Sequence, residues 1–160
     1  MQVEINHIRR NFILAGAFSA FALPALATTS SKNPLIEVWK TPTCGCCKEW
    51  VSHLESAGFK TVVHDVEDTS AVRAKKGIPL SLASCHTGEV AGYALEGHVP
   101  ASEIKRLLSE RPNAVGLAVA GMPMGSPGME GPPGAAQPQP RFDVLLVLKQ
   151  GMPTVYRAYR

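Results

Sequence analysis

No Lys/Arg cluster stands out in this 160-residue sequence beyond Ala74-Lys75-Lys76, and the net charge is only +3. A nucleic-acid partner is therefore not expected. The apolar run at 12–26 falls short of the roughly 20 residues that a membrane span requires. No internal repeat is visible, which excludes a solenoid or a propeller. Cysteine is scarce, with four residues in all. They are not spread out to close long loops, as a disulfide-stapled scaffold would have them. Three of them crowd into "TPTCGCCKEW" at 41–50.

The sequence begins with a targeting pattern. Arg9 and Arg10 precede the apolar run, and Ala25-Leu26-Ala27 has the small-x-small form that signal peptidase accepts. Residues 1–27 thus read as a signal peptide, and 28–34 as a polar linker. "RRNFIL" is similar to a twin-arginine export signal, although Ile8 stands where Ser or Thr usually precedes the arginines. The expected location is periplasmic, with no membrane span in the mature chain. Four cysteines there would by default make two disulfides. Adjacent Cys46 and Cys47 are badly placed to bridge each other. Cys44 can bridge either of them, which leaves one neighbour to pair with Cys85.

From 35 onward the chain reads as a single domain. "LIEVWK" (35–40) has the composition of a buried strand, and Pro42 and Gly45 punctuate a turn. From about Cys46 the apolar spacing becomes helical, with Cys47, Trp50, Val51, Leu54 and Ala57 on one face and Gly58 as the stop. A strand is expected at 59–66. A short helix follows, capped by Thr69 or Ser70 and ended by Gly77. "PLSLASCHTGEVAGYAL" suggests two strands joined at Thr87-Gly88. Pro100 opens an amphipathic helix with Ile104, Leu107 and Leu108 inward. Residues 112–140, rich in Gly and Pro, read as a long loop with a mobile tip at about 130–140. Strands at 142–148 and 154–159 make a closing hairpin.

A strand that enters a helix through a cysteine turn and returns to a strand is a βαβ unit. CxxC at such a junction suggests a thioredoxin-like architecture. The expected fold class is α/β: a central mixed sheet with flanking helices, elaborated by the Met/Gly/Pro-rich loop and the C-terminal β-hairpin. "KGIP" followed by "TGEVAGY" resembles the part of thioredoxins where a cis proline packs against the cysteine pair, which implies that role for Pro79.

The cysteine turn holds two overlapping motifs, CxxC (Cys44, Cys47) and CxC (Cys44, Cys46). A helix amino end beside the sulfurs favours thiolate, which serves disulfide exchange and soft-metal ligation alike. Three features favour metal. A third thiol within a redox pair would compete with it. Cys85 lies on a strand expected to neighbour the first. Met122, Met124 and Met129 occur in "GMPMGSPGME", and thioethers suit Cu(I). Against this, CxxC in such a frame is ordinarily a redox pair, and methionine also fills gaps. Zinc on Cys44, Cys46, Cys47 and Cys85 or a histidine is a competitor that leaves the methionines unexplained. On a strand His86 and Cys85 point to opposite faces, and share a site only where the strand ends or bulges. His98 either caps the following helix or enters the cysteine pocket. His53 reads as exposed, and His64 and Met152 as structural. Trp39 and Trp50 flank the turn and are expected to pack the core around the sulfurs.

"TPTCGCCKEWVSHLESAGF", "GIPLSLASCHTGEVAGYALEGHVP" and "VGLAVAGMPMGSPGME" together resemble the CopG-type periplasmic copper-resistance proteins. The resemblance spans about 35–159. It implies a thioredoxin-like fold and Cu(I) at the CxCC turn, with sulfurs of Cys44, Cys46, Cys47 and Cys85 bridging several ions. His86, His98 and the methionines Met122, Met124 and Met129 are further contributors. Copper is the expected ion, and other periplasmic copper-handling proteins are the expected partners. The leading reading is a binding protein rather than an enzyme, with a change of the ion's oxidation state as a further expectation. A thiol-disulfide oxidoreductase using Cys44 and Cys47 is the alternative, and a copper chaperone a further one.

Overall fold

The computed structural model describes residues 34–131, 134 and 141–160. The expected signal peptide and most of the expected mobile tip lie outside these. The described residues fall within one compact unit, 32–160.

The elements run β1 (Leu35–Lys40), α1 (Gly45–Ser56), β2 (Lys60–Asp65), α2 (Ser70–Lys75), β3 (His86–Val90), β4 (Tyr93–Glu96), α3 (Ala101–Glu110), β5 (Ala114–Ala118), β6 (Phe142–Leu148) and β7 (Thr154–Tyr159). The strands form one mixed sheet in the order β2-β1-β3-β4-β5-β6-β7. β1 runs parallel to β2 and antiparallel to β3, and β4 and β5 are parallel. The chain therefore has the thioredoxin-like α/β architecture, extended at one edge by the β6–β7 hairpin.

One face of the sheet carries α1 and α3. Trp50 and Leu54 of α1 and Ile104 and Leu107 of α3 pack on Ile36, Val38, Val90, Leu95, Leu117 and Val144. The apolar spacing of both helices builds this layer, and each fully buried aliphatic side chain contributes about 1.5–3 kcal/mol. On the opposite face Ile78 and Leu82 cover Ala94, Ala118 and Val147.

Four expectations are corrected. The β3–β4 turn is at Ala91-Gly92, not Thr87-Gly88; both residues have positive φ, 48° and 84°, the two-residue geometry that matches strand twist. "LSL" at 80–82 forms a short 3₁₀ turn rather than a strand, opened by Pro79 at φ −63° and ψ 147°. No cis peptide bond occurs among the described residues, so Pro79 is trans; its carbonyl accepts from Leu82 N–H and starts that turn. The Gly/Pro-rich stretch after 112 is not wholly loop, since β5 lies inside it between β4 and β6.

Candidate metal centre

The cysteine turn connects β1 to α1. Cys44 is the N-cap residue of α1, with extended backbone (φ −72°, ψ 99°), and its N–H donates to Thr41 O over 3.1 Å. Cys46 and Cys47 thus fall in the first helical turn, where backbone N–H groups lack intrahelical acceptors. Cys47 and Trp50 face inward at 0 % exposure, while Cys44 and Cys46 are half-buried. Cys44 and Cys47 are joined by a disulfide, with Cα atoms 5.4 Å apart; Cys46 and Cys85 are free.

Antiparallel pairing of β1 with β3 sets Lys40 opposite His86 and so brings the chain before β3 to the turn. Cys85 Sγ lies 3.8 Å from Cys46 Sγ, which lies 3.6 Å from Cys44 Sγ. Cys47 Sγ is 3.7 Å from the Cys85 carbonyl oxygen. The four sulfurs all lie within 4.8 Å of one another. Two sulfurs on one tetrahedral ion, each about 2.3 Å from it, stand roughly 3.8 Å apart. The 3.8 Å between the two free sulfurs, Cys46 and Cys85, therefore suits a shared ion.

Cys85 immediately precedes β3, and this position lets both histidines reach it. His86 Nδ1 is 3.3 Å and His98 Nε2 3.2 Å from its sulfur. The second nitrogen of His98 is committed, since Nδ1–H donates to Pro127 O over 2.8 Å. Neutral His98 therefore presents a lone pair on Nε2 to Cys85, the orientation by which a carbonyl fixes a ligand imidazole. Burial pushes the His98 pKa down, which keeps that lone pair free. His86 is fully buried against Trp50, ring centroids 4.3 Å apart. Burial, with His98 as neighbour, lowers its pKa to about 3. Its Nε2 has no hydrogen-bond partner among the described residues. Burial and the adjacent Cys46 push the Cys85 thiol up to about 12, which favours its protonated form.

The methionine loop sits on α1. A Cβ on Gly128, whose φ is +84°, would stand 2.8 Å from both Cys46 O and Trp50 N, so only glycine allows this approach. Gly125 N–H donates to Met129 O over 2.9 Å, and Met129 N–H to Ser126 O over 2.8 Å, which closes the loop on itself. Its methionines are unequal: Met129 is half-buried, whereas Met122 and Met124 are 53 % and 55 % exposed. Pro127 and Gly128, which dock the loop, were not among the residues singled out from sequence. A glycine between a proline and a methionine was the one available signal.

Other expectations shift. His53 is half-buried rather than exposed, and its Nε2 accepts from Ala101 N–H at the start of α3 over 3.0 Å. Helix capping thus falls to His53, while His98 takes the cysteine pocket. Trp50 packs the core and donates to Val99 O over 2.8 Å. Trp39 does not; it is half-buried and stacks on His64.

A protein-family profile described as "Protein of unknown function, DUF411" matches residues 82–129, the stretch that carries Cys85, both histidines and the methionines. No curated protein matches the sequence. Two solved structures are similar. One, titled copper resistance protein CopG form 2, is 44 % identical, covers 80 % of this chain and 99 % of its own, and superposes with a TM-score of 0.72. The other, form 1, is 45 % identical over 79 % and 98 %, with a TM-score of 0.71. The chain belongs to the CopG family. Within this CopG-family chain, the two sets of side chains able to hold a metal share Cys85: Cys44, Cys46, Cys47 and Cys85, and Cys85, His86 and His98. Among the described residues no helix is long and apolar enough to cross a membrane.

Proposed function

We propose that the chain is a periplasmic copper-binding protein of copper resistance, exported by residues 1–27 and folded over 35–160. It holds Cu(I) in a thiolate-bridged site of more than one ion on Cys44, Cys46, Cys47 and Cys85. His98 is the first added ligand, followed by His86, Met129, Met122 and Met124. One observation carries this reading: Cys85 Sγ meets Cys46 Sγ on one side and a nitrogen lone pair of His98 on the other. Thiolate and imidazole together suit copper, and bridging sulfurs let few residues hold several ions. The structural neighbours titled copper resistance proteins support the same ion. Zinc fits the same spacing but draws no use from the methionines. The mixed sulfur and nitrogen donors also suit a change of copper oxidation state. Other periplasmic copper-handling proteins are the partners this reading calls for.

Using all four thiolates requires that the Cys44–Cys47 bond first take up two electrons and two protons, which a dithiol supplies. That bond also favours a second reading, a thiol-disulfide oxidoreductase with half-exposed Cys44 as nucleophile and buried Cys47 as resolving thiol. Anaerobic titration of the reduced chain with Cu(I) against a chromophoric competitor separates the two. The first reading expects more than one tightly held ion, fewer in Cys46→Ser, and weaker retention in a Met122→Leu/Met124→Leu variant. Absence of Cu(I) retention, together with disulfide exchange that survives Cys46→Ser, selects the second.

A further inference from the structure

Cys85 is held by side chains that are not in either ligand set. Glu96, at the end of β4, is fully buried, and Arg73 of α2 is nearly so. Arg73 Nε donates to Glu96 Oε1 over 2.7 Å. The same oxygen accepts from Ser84 N–H over 2.7 Å, and Arg73 Nη2 donates to Ser84 O over 3.1 Å. Both backbone groups of the residue before Cys85 thus end on this one ion pair. Glu96 Oε2 accepts from Thr87 Oγ1 over 2.7 Å, which fixes the chain on the other side of Cys85 and His86. Gly97 N–H donates to His86 O over 3.0 Å, and His98 follows. Gly97 has φ +68°, and a Cβ there would stand 2.6 Å from Ser84 Oγ.

We propose that the buried Arg73–Glu96 pair is the positioning device of the metal centre: it fixes the Ser84 backbone, and so sets the Cys85 sulfur at the distance from Cys46 and His98 at which an ion is shared. The proposal rests on the metal-binding reading above. The energetics favour positioning over bulk stability. A buried ion pair gains little over apolar residues of similar volume, because desolvation offsets its attraction. What apolar residues cannot supply is the directed set of hydrogen bonds that holds one peptide from both sides. Arginine is needed as well as a positive charge, since only its planar fork reaches Glu96, Ser84 O and, over 2.9 Å, Thr69 Oγ1 at once.

Arg73→Lys keeps the charge and loses the fork. Two readouts on the reduced full chain test it: the alkylation rate of Cys85 in metal-free protein, by peptide mass spectrometry, and the sulfur-to-copper ultraviolet absorption after Cu(I) loading. The variant should alkylate Cys85 about tenfold faster, the factor for one lost charge-assisted hydrogen bond, and show an altered absorption at equal copper. Thr87→Val, a milder cut on the other arm, should show the same changes at smaller size and serves if Arg73→Lys does not fold. Leu107→Ala, in the core beneath α3, is the control for general loosening and should leave Cys85 labelling unchanged where the chain is folded. Unchanged labelling in both variants, or equal acceleration in Leu107→Ala, overturns the proposal. Wild-type protein that retains no Cu(I) overturns the copper reading instead, whatever the alkylation rates.

Discussion

In the copper-binding function proposed above, Cys85 is the residue on which the chemistry turns, and its protonation gives a direct test. Its thiol is pushed up to about 12, while a metal takes the thiolate. Each ion bound there must therefore displace a proton. Below that pKa, acidification favours the thiol and opposes the metal, so Cu(I) affinity at this position should fall about tenfold per pH unit lowered. Competition titrations at pH 6, 7 and 8 measure the slope, and a flat profile would remove Cys85 from the ligand set. The crowding of Cys44, Cys46 and Cys47 was visible in the sequence because they are neighbours in the chain. Convergence of Cys85 was inferable from strand adjacency. The junction that lets His86 join it was not, because one residue decides which face a side chain takes.

At the scale of elements, the methionine loop is docked on α1 beside the cysteine turn, and Gly128 is the point of contact. Gly128→Ala adds a methyl against Cys46 O and Trp50 N at a backbone conformation that disfavours any side chain. The cost should be about 1–3 kcal/mol, read from the urea midpoint of the metal-free chain. His98 should lose its Pro127 acceptor in the same variant, and hydrogen–deuterium exchange at 125–130 should rise. A variant as stable as wild type would mean the loop does not rest on α1. β1, both strands of the closing hairpin and the three helices were legible within a residue or so, because their apolar spacing or flanking turn residues are strong. β5 was not. Its small residues and Gly116 look like loop, yet a Cβ on Gly116 would strike the Ala94 backbone, so glycine there marks close strand approach.

For the whole molecule, two buried histidines, His86 and His98, and the half-buried His53 set the acid limit. His86 is pushed down to about 3, and burial also lowers His53 and His98. Their folded pKa values lie below the unfolded value near 6.5, so between those limits the unfolded chain binds protons that the folded chain refuses. Stability should hold above about pH 7 and fall as pH drops below 6.5, by about 1.4 kcal/mol per unit for His86 alone. Denaturant midpoints of the metal-free chain between pH 5 and 8 check this, and a His53→Gln variant should fall less steeply. Constant stability from pH 7 to 5 would contradict the buried, neutral state of these rings.

The Cys44–Cys47 bond gives the chain two countable states, closed and open. With the bond closed, the chain offers an alkylating reagent two sulfhydryls, Cys46 and Cys85; with it reduced, it offers four. Adduct number in an intact-mass spectrum therefore tells the experimenter which of the two is in the tube before any titration begins.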